Sequence, residues 1–560
     1  MSIGVATAQS AGAARMAPVP WSRRRSSVLV LLVVAAVVGV LGPLAMAAWT
    51  GSLSIPHNDS WAFSKAAQTF ARTGHLQLLN WNAMFLVGEF VPLGPLGASL
   101  SAQHCYVALL ALLSLAAGYD LLRSVSGPRR AALGVLALVI WPGFGLLATS
   151  MMTDLPAFAA VAIVLALGQQ ALRRRSVPLL MLVALVSLWG FTIREQTIAA
   201  PVAIFVAALA RKDLRRRSFV LALGALGAAL AVAACGFELW RRGQPGGSSP
   251  SFTATHFPGI RAVLVDSVGA YLMVALILSP LILLAARPWR WSWPTRLASL
   301  VGVAVLLTAV LRYHAGFPQN YLEIQGAYPS AFLGQKPNLF PRPVWDVLLP
   351  LAVVSGALLA GLLVSRVRRL PLPFLIFGLL TAAGTVVEIV EGQILFDRYL
   401  LPLALPVAAL TLREPFGALS GISRARVAVA GAGWLFLASV TSLITLNGLV
   451  YDAATWHAAH SVVSSGRAAA PYVNAGFTWT AYYSTTGAGP ADPNAEPGTY
   501  VKTPMFSDDQ PCYVVAAAPQ TDPQHNARWT LAETPTYRTY GFFGSQRQLF
   551  VYRTTATTCR

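Results

Sequence analysis

Residues 23–48 read RRRSSVLVLLVVAAVVGVLGPLAMAA, three arginines followed by an apolar run from Val28 to Ala48. A run of ~18 or more apolar residues is long enough for a helix to cross the hydrocarbon core of a bilayer. The Ala45-Met46-Ala47 end is similar to a signal-peptidase site, but the run is longer than a usual signal-peptide core. The stretch therefore predicts an uncleaved first transmembrane helix, whose N-terminus the arginines hold on the inner side.

The remainder of the chain extends this pattern over most of its length. Of the 560 residues, 56% are hydrophobic and 11% are charged, whereas ordinary soluble domains carry about 25% charged residues. The net charge of +20 would suit a nucleic-acid-binding protein. The basic residues cluster in short loops between apolar runs, however, as the positive-inside rule expects. The composition predicts a polytopic α-helical protein of the cell membrane with no nucleic-acid partner.

Counting the apolar runs predicts about thirteen transmembrane helices. With the N-terminal tail 1–27 in the cytoplasm, this odd number places residues 449–560 outside, and the transmembrane domain covers 28–448 with its first outer loop at 50–96. The predicted spans are 28–48, 97–118, 131–149, 154–172, 177–192, 197–210, 218–236, 263–286, 297–312, 344–364, 371–390, 398–412 and 427–448.

The C-terminal segment 449–560 is polar and differs in character from the spans. Its alternating stretches at 513–516 and 549–552 are typical of strands separated by turns. The segment therefore predicts a small extracytoplasmic α/β domain. A disulfide between Cys512 and Cys559 is compatible with that location, and the sequence leaves it open.

One acidic loop, His57-Asn58-Asp59-Ser60-Trp61, directly follows the first span. A helical pattern begins after it and stops at Gly74, so any of its three central residues suits the N-cap of an amphipathic helix. Asp59 is also placed to act as a catalytic carboxylate, and the two roles do not exclude each other.

Three further charged residues are predicted at the outer rim of the membrane. Asp154 opens an apolar helix, where it suits either a cap or a polar ligand, since an acid facing lipid is costly. Arg194 and Arg398 lie on the outer side, against the inside bias of cations. Each arginine has an acidic neighbour to pair with, Glu195 or Asp397, or it binds phosphate through its guanidinium fork.

Asp59, Asp154, Arg194 and Arg398 come from four separate predicted outer loops on one face of the membrane. Two acids and two arginines suit a lipid-phosphate donor, because the arginines neutralise a leaving phosphate and a carboxylate takes a proton from an attacking hydroxyl. Further donor-binding candidates from the first loop are His57, Trp61 and Lys65. No Walker loop or zinc-ligand spacing is present, and no metal or other cofactor is expected.

Short motifs around these residues resemble the GT-C-fold glycosyltransferases, in the group that contains protein O-mannosyltransferases and the aminoarabinose transferase of lipid A. The similarity is greatest to the bacterial branch termed dolichyl-phosphate-mannose-mannosyltransferase-like. The motifs are NDSWAF at 58–63, TGHLQLLNW at 73–81, MTDLPA at 152–157 and RYLLPL at 398–403, with IREQ at 193–196 as a weaker match.

The resemblance implies a GT-C-like fold and an inverting transfer of a sugar from a polyprenyl-phosphate donor on the extracytoplasmic face. Asp59 matches the acid of the family's first loop. Relatives often carry a second acid at the next position, where this chain has Ser60. That difference leaves Asp154 as the second acid and argues against a divalent cation, which some members of the fold use.

A non-enzymatic lipid or glycolipid transporter, or a membrane scaffold, is the alternative interpretation. Charged residues at mid-span are scarce in this chain, whereas ion-coupled transporters usually carry them near the bilayer midplane. The sequence does not identify the sugar, the lipid, glycan or protein acceptor, or the oligomeric state.

Overall fold

The computed structural model describes ten parts of the chain. Portions of the predicted tail 1–27, of the first outer loop 50–96 and of the C-terminal segment 449–560 lie outside them, as do motif residues 77–81 and Cys559. The described residues are 21–76, 87–211, 213, 217–243, 257–328, 336–413, 423–483, 511–519, 529–542 and 544–554.

Helices form most of the described chain, and they are labelled here in chain order. Their bounds are α1 Trp21–Ala36, α2 Gly42–Thr50, α3 Ser60–Thr73, α4 Val87–Leu93, α5 Leu100–Ser126, α6 Pro128–Val139, α7 Phe144–Ala148, α8 Asp154–Arg174, α9 Val177–Ile193, α10 Ala199–Ala210, α11 Arg217–Arg242, α12 Ile260–Ile277, α13 Ser279–Ala285, α14 Trp293–Tyr313, α15 Arg342–Arg366, α16 Leu372–Val390, α17 Ala404–Leu412, α18 Arg424–Ser464 and α19 Phe477–Tyr483.

Within the described ranges, nine helical segments are long and apolar enough to cross a membrane. The first of them, Ser26–Thr50, combines α1 and α2 through a π-helical turn at Val37–Leu41. Val177–Ile193 and Glu195–Ala210 are shorter apolar helices. The predicted fold class, a polytopic helical membrane protein, is confirmed, whereas the count of thirteen spans is not.

Several predicted spans, among them 131–149, 263–286 and 398–412, contain breaks in the α-helix. The predicted span 131–149 divides into α6 and α7 around Pro142 and Gly143, and Gly143 has a φ of +75°. A Cβ at Gly143 would lie 2.2 Å from the ring of Tyr321, so glycine is required by both the backbone and the contact. The predicted span 398–412 begins as a 3₁₀ helix, Asp397–Leu403, before α17. Apolar composition alone does not report such interruptions.

The interrupted segments lie inside the bundle. Almost every residue from Ala131 to Leu155 is buried, and α8 is buried over most of its length. By contrast, α11 and α14 expose most of their apolar side chains, as helices that face lipid do. Trp141, beside the break between α6 and α7, donates from Nε1 to the carbonyl of Asp397 over 3.2 Å.

The C-terminal segment forms a small domain built on α18 and two sheets. α18 continues without a break past residue 448, where the last predicted span ends. The strands are β1 Val473–Asn474, β2 Tyr513–Ala516, β3 Trp529–Glu533, β4 Thr536–Arg538, β5 Gln546–Gln548 and β6 Phe550–Thr554.

One sheet has the order β1-β2-β6-β3, with β1 parallel to β2 and the other pairs antiparallel. The second sheet is the β4-β5 hairpin. Strands β2 and β6 lie where the alternating sequence predicts them, so the small α/β domain is confirmed. Cys512 is disulfide-bonded, and its predicted partner, Cys559, lies outside the described residues.

Candidate functional site

The acidic loop after the first span is a tight turn at residues 57–60. The N–H of His57 donates to Oγ of Ser60 over 2.7 Å, and the N–H of Ser60 donates to the carbonyl of His57 over 3.0 Å. Asn58 lies between them with a φ of +46°, a left-handed conformation that asparagine tolerates better than most residues. Ser60, at the position where relatives carry an acid, thus closes the turn that carries Asp59.

Asp59 precedes α3, yet its carboxylate does not cap that helix. Asp154 is the first residue of α8, whose N-cap residue is Thr153. Both acids are therefore available for other partners. Oδ1 of Asp154 accepts a bond from Nη1 of Arg194 over 2.5 Å, at the point where α9 ends.

Arg398 joins the two acids. Its Nη2 donates to Oδ2 of Asp59 over 3.1 Å, and its Nε lies 3.7 Å from Oδ1 of Asp154. The structure thus brings all four predicted residues of the rim, Asp59, Asp154, Arg194 and Arg398, into one cluster. Among the described residues, the ion pairs of the two arginines are with these acids and not with their sequence neighbours Glu195 and Asp397.

The Arg398 guanidinium is buried, with 4% of its side chain exposed. Its Nε and Nη1 have no hydrogen-bond acceptor among the described residues. A buried donor without an acceptor is costly, and a phosphate oxygen is an acceptor whose geometry suits the guanidinium fork. The ring of Tyr399 lies 4.4 Å from the Arg194 guanidinium and 5.3 Å from that of Arg398, so it packs against both cations.

The two acids differ in accessibility. The side chain of Asp154 is 4% exposed, whereas that of Asp59 is 23% exposed. Burial raises the pKa of the Asp59 carboxyl, and the charge and hydrogen bond of Arg398 oppose that rise. Asp59 is therefore the acid of the cluster that a substrate reaches more easily.

Asp397, the neighbour of Arg398 in the chain, bonds to the backbone of another loop. Its Oδ2 accepts the backbone N–H groups of Tyr321 and Leu322 over 2.8 and 2.9 Å, which ties the loop after α14 to the loop that carries Arg398. Burial raises the pKa of Asp397 to about 7, and the two backbone hydrogen bonds limit the rise.

Sequence reasoning missed Glu89, which lies on the short helix α4. The residue is 1% exposed, and neither carboxylate oxygen has a hydrogen-bond partner in the described chain. Burial raises the pKa of Glu89 well above its usual value; the charge of Asp154 adds to this rise and that of Arg194 opposes it. The only available signal was a lone acid within the apolar run FLVGEFV at 85–91.

The three further candidates of the first loop have different surroundings. His57 is buried, and its ring nitrogens contact Oδ2 of Asp452 and the carbonyl of Ser52. The ring of Trp61 packs edge-on against Phe477. Lys65 is one helical turn further on, and burial lowers its pKa. Their proposed roles in donor binding stay predictions. In the part of the chain that the structure describes, no group of three or more His, Cys, Asp or Glu side chains is arranged to hold a metal ion.

Residues 96–240 match the protein family described as dolichyl-phosphate-mannose-protein mannosyltransferase. The chain is similar to the crystal structure of ArnT from Cupriavidus metallidurans bound to undecaprenyl phosphate. The two sequences are 14% identical, the alignment covers 96% of this chain and 99% of that chain, and the TM-score is 0.46. The apo crystal structure of the same protein is 16% identical over 95% and 98% of the two chains, with a TM-score of 0.40. No curated protein sequence matches the chain.

The family match covers α5 to α11 and includes two residues of the cluster, Asp154 and Arg194. This part of the chain is thus similar to the dolichyl-phosphate-mannose-protein mannosyltransferases, and the resemblance that the short sequence motifs indicated is confirmed.

Proposed function

We propose that this membrane protein is a glycosyltransferase that moves a sugar from a polyprenyl-phosphate donor to an acceptor hydroxyl. The observation that carries the proposal is the ion-paired cluster of Asp59, Asp154, Arg194 and Arg398. The match of residues 96–240 to a mannosyltransferase family whose named donor is a polyprenyl phosphate supports it. We place the reaction on the extracytoplasmic face, because the arginine-rich loops at the opposite ends of the spans predict the inner side.

In this proposal the donor phosphate binds between Arg194 and Arg398. Nε and Nη1 of Arg398, which have no hydrogen-bond acceptor in the described part of the chain, donate to its oxygens, and Arg194 supplies a second positive charge. A sugar phosphodiester carries one negative charge, and the departing polyprenyl monophosphate carries a second. The arginines therefore stabilise charge that develops as the bond between the sugar and the phosphate breaks.

Asp59 is the proposed general base. Its carboxylate takes the proton of the acceptor hydroxyl while that oxygen forms a bond to C1 of the sugar and the phosphate oxygen departs from the opposite face. This single displacement inverts the configuration at C1. Asp154, whose Oδ1 faces both arginines, holds the two guanidinium groups in position and offsets their charge while the donor is absent.

Transfer of labelled sugar by the purified protein in proteoliposomes tests the proposal, with a panel of polyprenyl-phosphate sugars as donors. Release of polyprenyl phosphate is followed in parallel, because slow transfer to water reports donor use even when the acceptor is missing. The proposal expects release from at least one donor at a rate above that of protein-free liposomes. Release from none of the donors, by protein that retains its fold, would contradict it.

A further inference from the structure

The C-terminal part of the chain contacts the turn that carries Asp59 and the helix that follows it. Oγ1 of Thr478, on α19, donates to the carbonyl of Asn58 over 3.3 Å. Next to this bond, the ring of Phe477 packs edge-on against Trp61, the second residue of α3. Further along α3, the hydroxyl of Tyr482 bonds to Oε1 of Gln68 over 3.0 Å. Three consecutive contacts thus fix the turn and α3 to α19.

A shorter contact joins His57 to α18. Nδ1 of His57 lies 2.7 Å from Oδ2 of Asp452, and Nε2 lies 3.1 Å from the carbonyl of Ser52. The side chains of His57 and Asp452 are 1% and 9% exposed. Each ring nitrogen faces an oxygen acceptor, so the N–H of either tautomer has a hydrogen-bond partner. Breaking a buried pair of this kind leaves a charge or a donor without a partner.

The charge of Asp452 also acts on Lys336, in the loop before α15. Lys336 is buried, donates from Nζ to the carbonyl of Ala327 over 2.8 Å, and lies over the ring of Tyr451. Burial lowers the pKa of Lys336 to about 8, while the charge of Asp452 opposes this shift. The Asp452 carboxylate is therefore placed to interact with two loops, through its bond to His57 in the loop after the first span and through its charge on Lys336 in the loop before α15.

From this geometry we infer that Asp452 is a positioning residue, which acts through His57 to hold the Asp59 carboxylate against Arg398. The inference rests on the proposed role of Asp59 as the base. Asp59 is two residues from His57. It lies in the turn that two hydrogen bonds between His57 and Ser60 close. The arginines that would hold the donor lie on other elements. Loss of the pair therefore affects the transfer step more than donor binding.

Asp452→Asn and His57→Phe test the inference in two ways, together with the double variant. The expected result is a fall in kcat of about 10- to 100-fold, since misplacement by ~1 Å has such effects, with the KM for the donor within about threefold of wild type. The double variant is expected to cost no more than either single variant, because both remove the same contact. Additive losses, or an increase in KM with kcat unchanged, would overturn the inference.

Hydrogen–deuterium exchange of the segment 52–76 provides a readout that needs no substrate. The amides of Ser60 and Ala62 are bonded within the turn, and we expect faster exchange there in Asp452→Asn than in wild type. Unchanged exchange would overturn the inference, whether or not transfer is observed. A wild-type protein without transfer activity counts against the proposed function only, and the exchange result then decides whether the pair holds the turn.

Glu533→Gln is the matched control. It removes the ion pair between Arg467 and Glu533, which lies in the same C-terminal domain and makes no contact with the turn. The control is expected to leave kcat and the exchange of residues 52–76 unchanged. An equal effect of this variant would show that general loosening of the domain, and not the contact with His57, explains the losses.

Discussion

Nη2 of Arg398 donates to Oδ2 of Asp59 over 3.1 Å, although 339 positions separate the two residues in the chain. The bond links the loop after the first span to the 3₁₀ helix before α17. It also means that the proposed base and the proposed phosphate ligand neutralise each other before the donor arrives. Donor phosphate would take over part of that compensation, which would free the Asp59 carboxylate to accept a proton.

Arg398→Lys tests whether the guanidinium fork matters beyond its charge. Lysine keeps one positive charge but cannot bridge two acceptors in a plane, so we expect KM for the donor to rise about tenfold or more. Loss of one charged hydrogen bond of ~1.5–3 kcal/mol corresponds to such a change. Steady-state kinetics in proteoliposomes measure it. A variant with wild-type KM and kcat would remove Arg398 from donor binding.

Asp154→Asn is expected to destabilise the protein more than any exposed substitution. The change leaves Arg194 and Arg398 buried with less compensating charge, and breaking a buried ion pair in this way costs about 3–5 kcal/mol. Thermal unfolding in detergent measures the difference. Glu238→Gln, which breaks the more exposed pairs with Arg241 and Arg242, is the control and should cost less than about 1 kcal/mol. Equal losses in the two variants would contradict the account of a charge-compensated cluster.

The raised pKa of Asp397 predicts that its contribution to stability decreases as the pH rises. The folded-state pKa of about 7 exceeds the ordinary value of 3.8, so the folded protein binds the proton more tightly than the unfolded chain. Its contribution to stability is therefore full below pH 3.8 and is lost as the pH rises to about 7.

Asp397→Asn keeps an oxygen that can accept the N–H groups of Tyr321 and Leu322 but removes the titration. We expect its Tm, relative to that of wild type, to increase as the pH rises from about 4 to about 7, the window set by the two pKa values. Asp346→Asn, at an exposed position, should show no such trend. A Tm of Asp397→Asn that falls relative to wild type as the pH rises would contradict the prediction.

Glu89→Gln tests whether the buried acid on α4 takes part in the reaction or has only a structural role. Burial raises the pKa of Glu89 well above its usual value, which favours the neutral carboxyl, and glutamine is a neutral substitute of similar shape. We expect turnover within about threefold of wild type and stability within about 1 kcal/mol. A loss of turnover by orders of magnitude, without loss of fold, would instead assign Glu89 to the chemistry.

The sequence predicted the class of fold and the four charged residues of the cluster. Both predictions rest on patterns that neighbouring residues in the sequence reveal. These are apolar runs of membrane length and charges at the rim of the membrane, where contact with lipid would be costly. The clustering of Asp59 with Arg398 could be expected only from topology, and the sequence does not identify the partner of either arginine. The structure shows that they pair across loops.

The remaining features depend on tertiary contacts that no local pattern reports. The break at Gly143 exists because the ring of Tyr321 occupies the space beside it. Glu89 is buried by packing of α4 against α9, and its sequence context is simply apolar. Asp452 lies on a helix that continues past the predicted end of the last span, so its contact with His57 was not foreseen.

The most direct test of the central claim compares wild type with Asp59→Asn in the transfer assay, using membranes that contain equal amounts of each protein. Asparagine keeps the shape of the side chain and can still accept a bond from Arg398, but it cannot take a proton. The account predicts that transfer falls by 10²-fold or more while binding of polyprenyl phosphate is retained. Equal transfer by the two proteins would show that Asp59 is not the base.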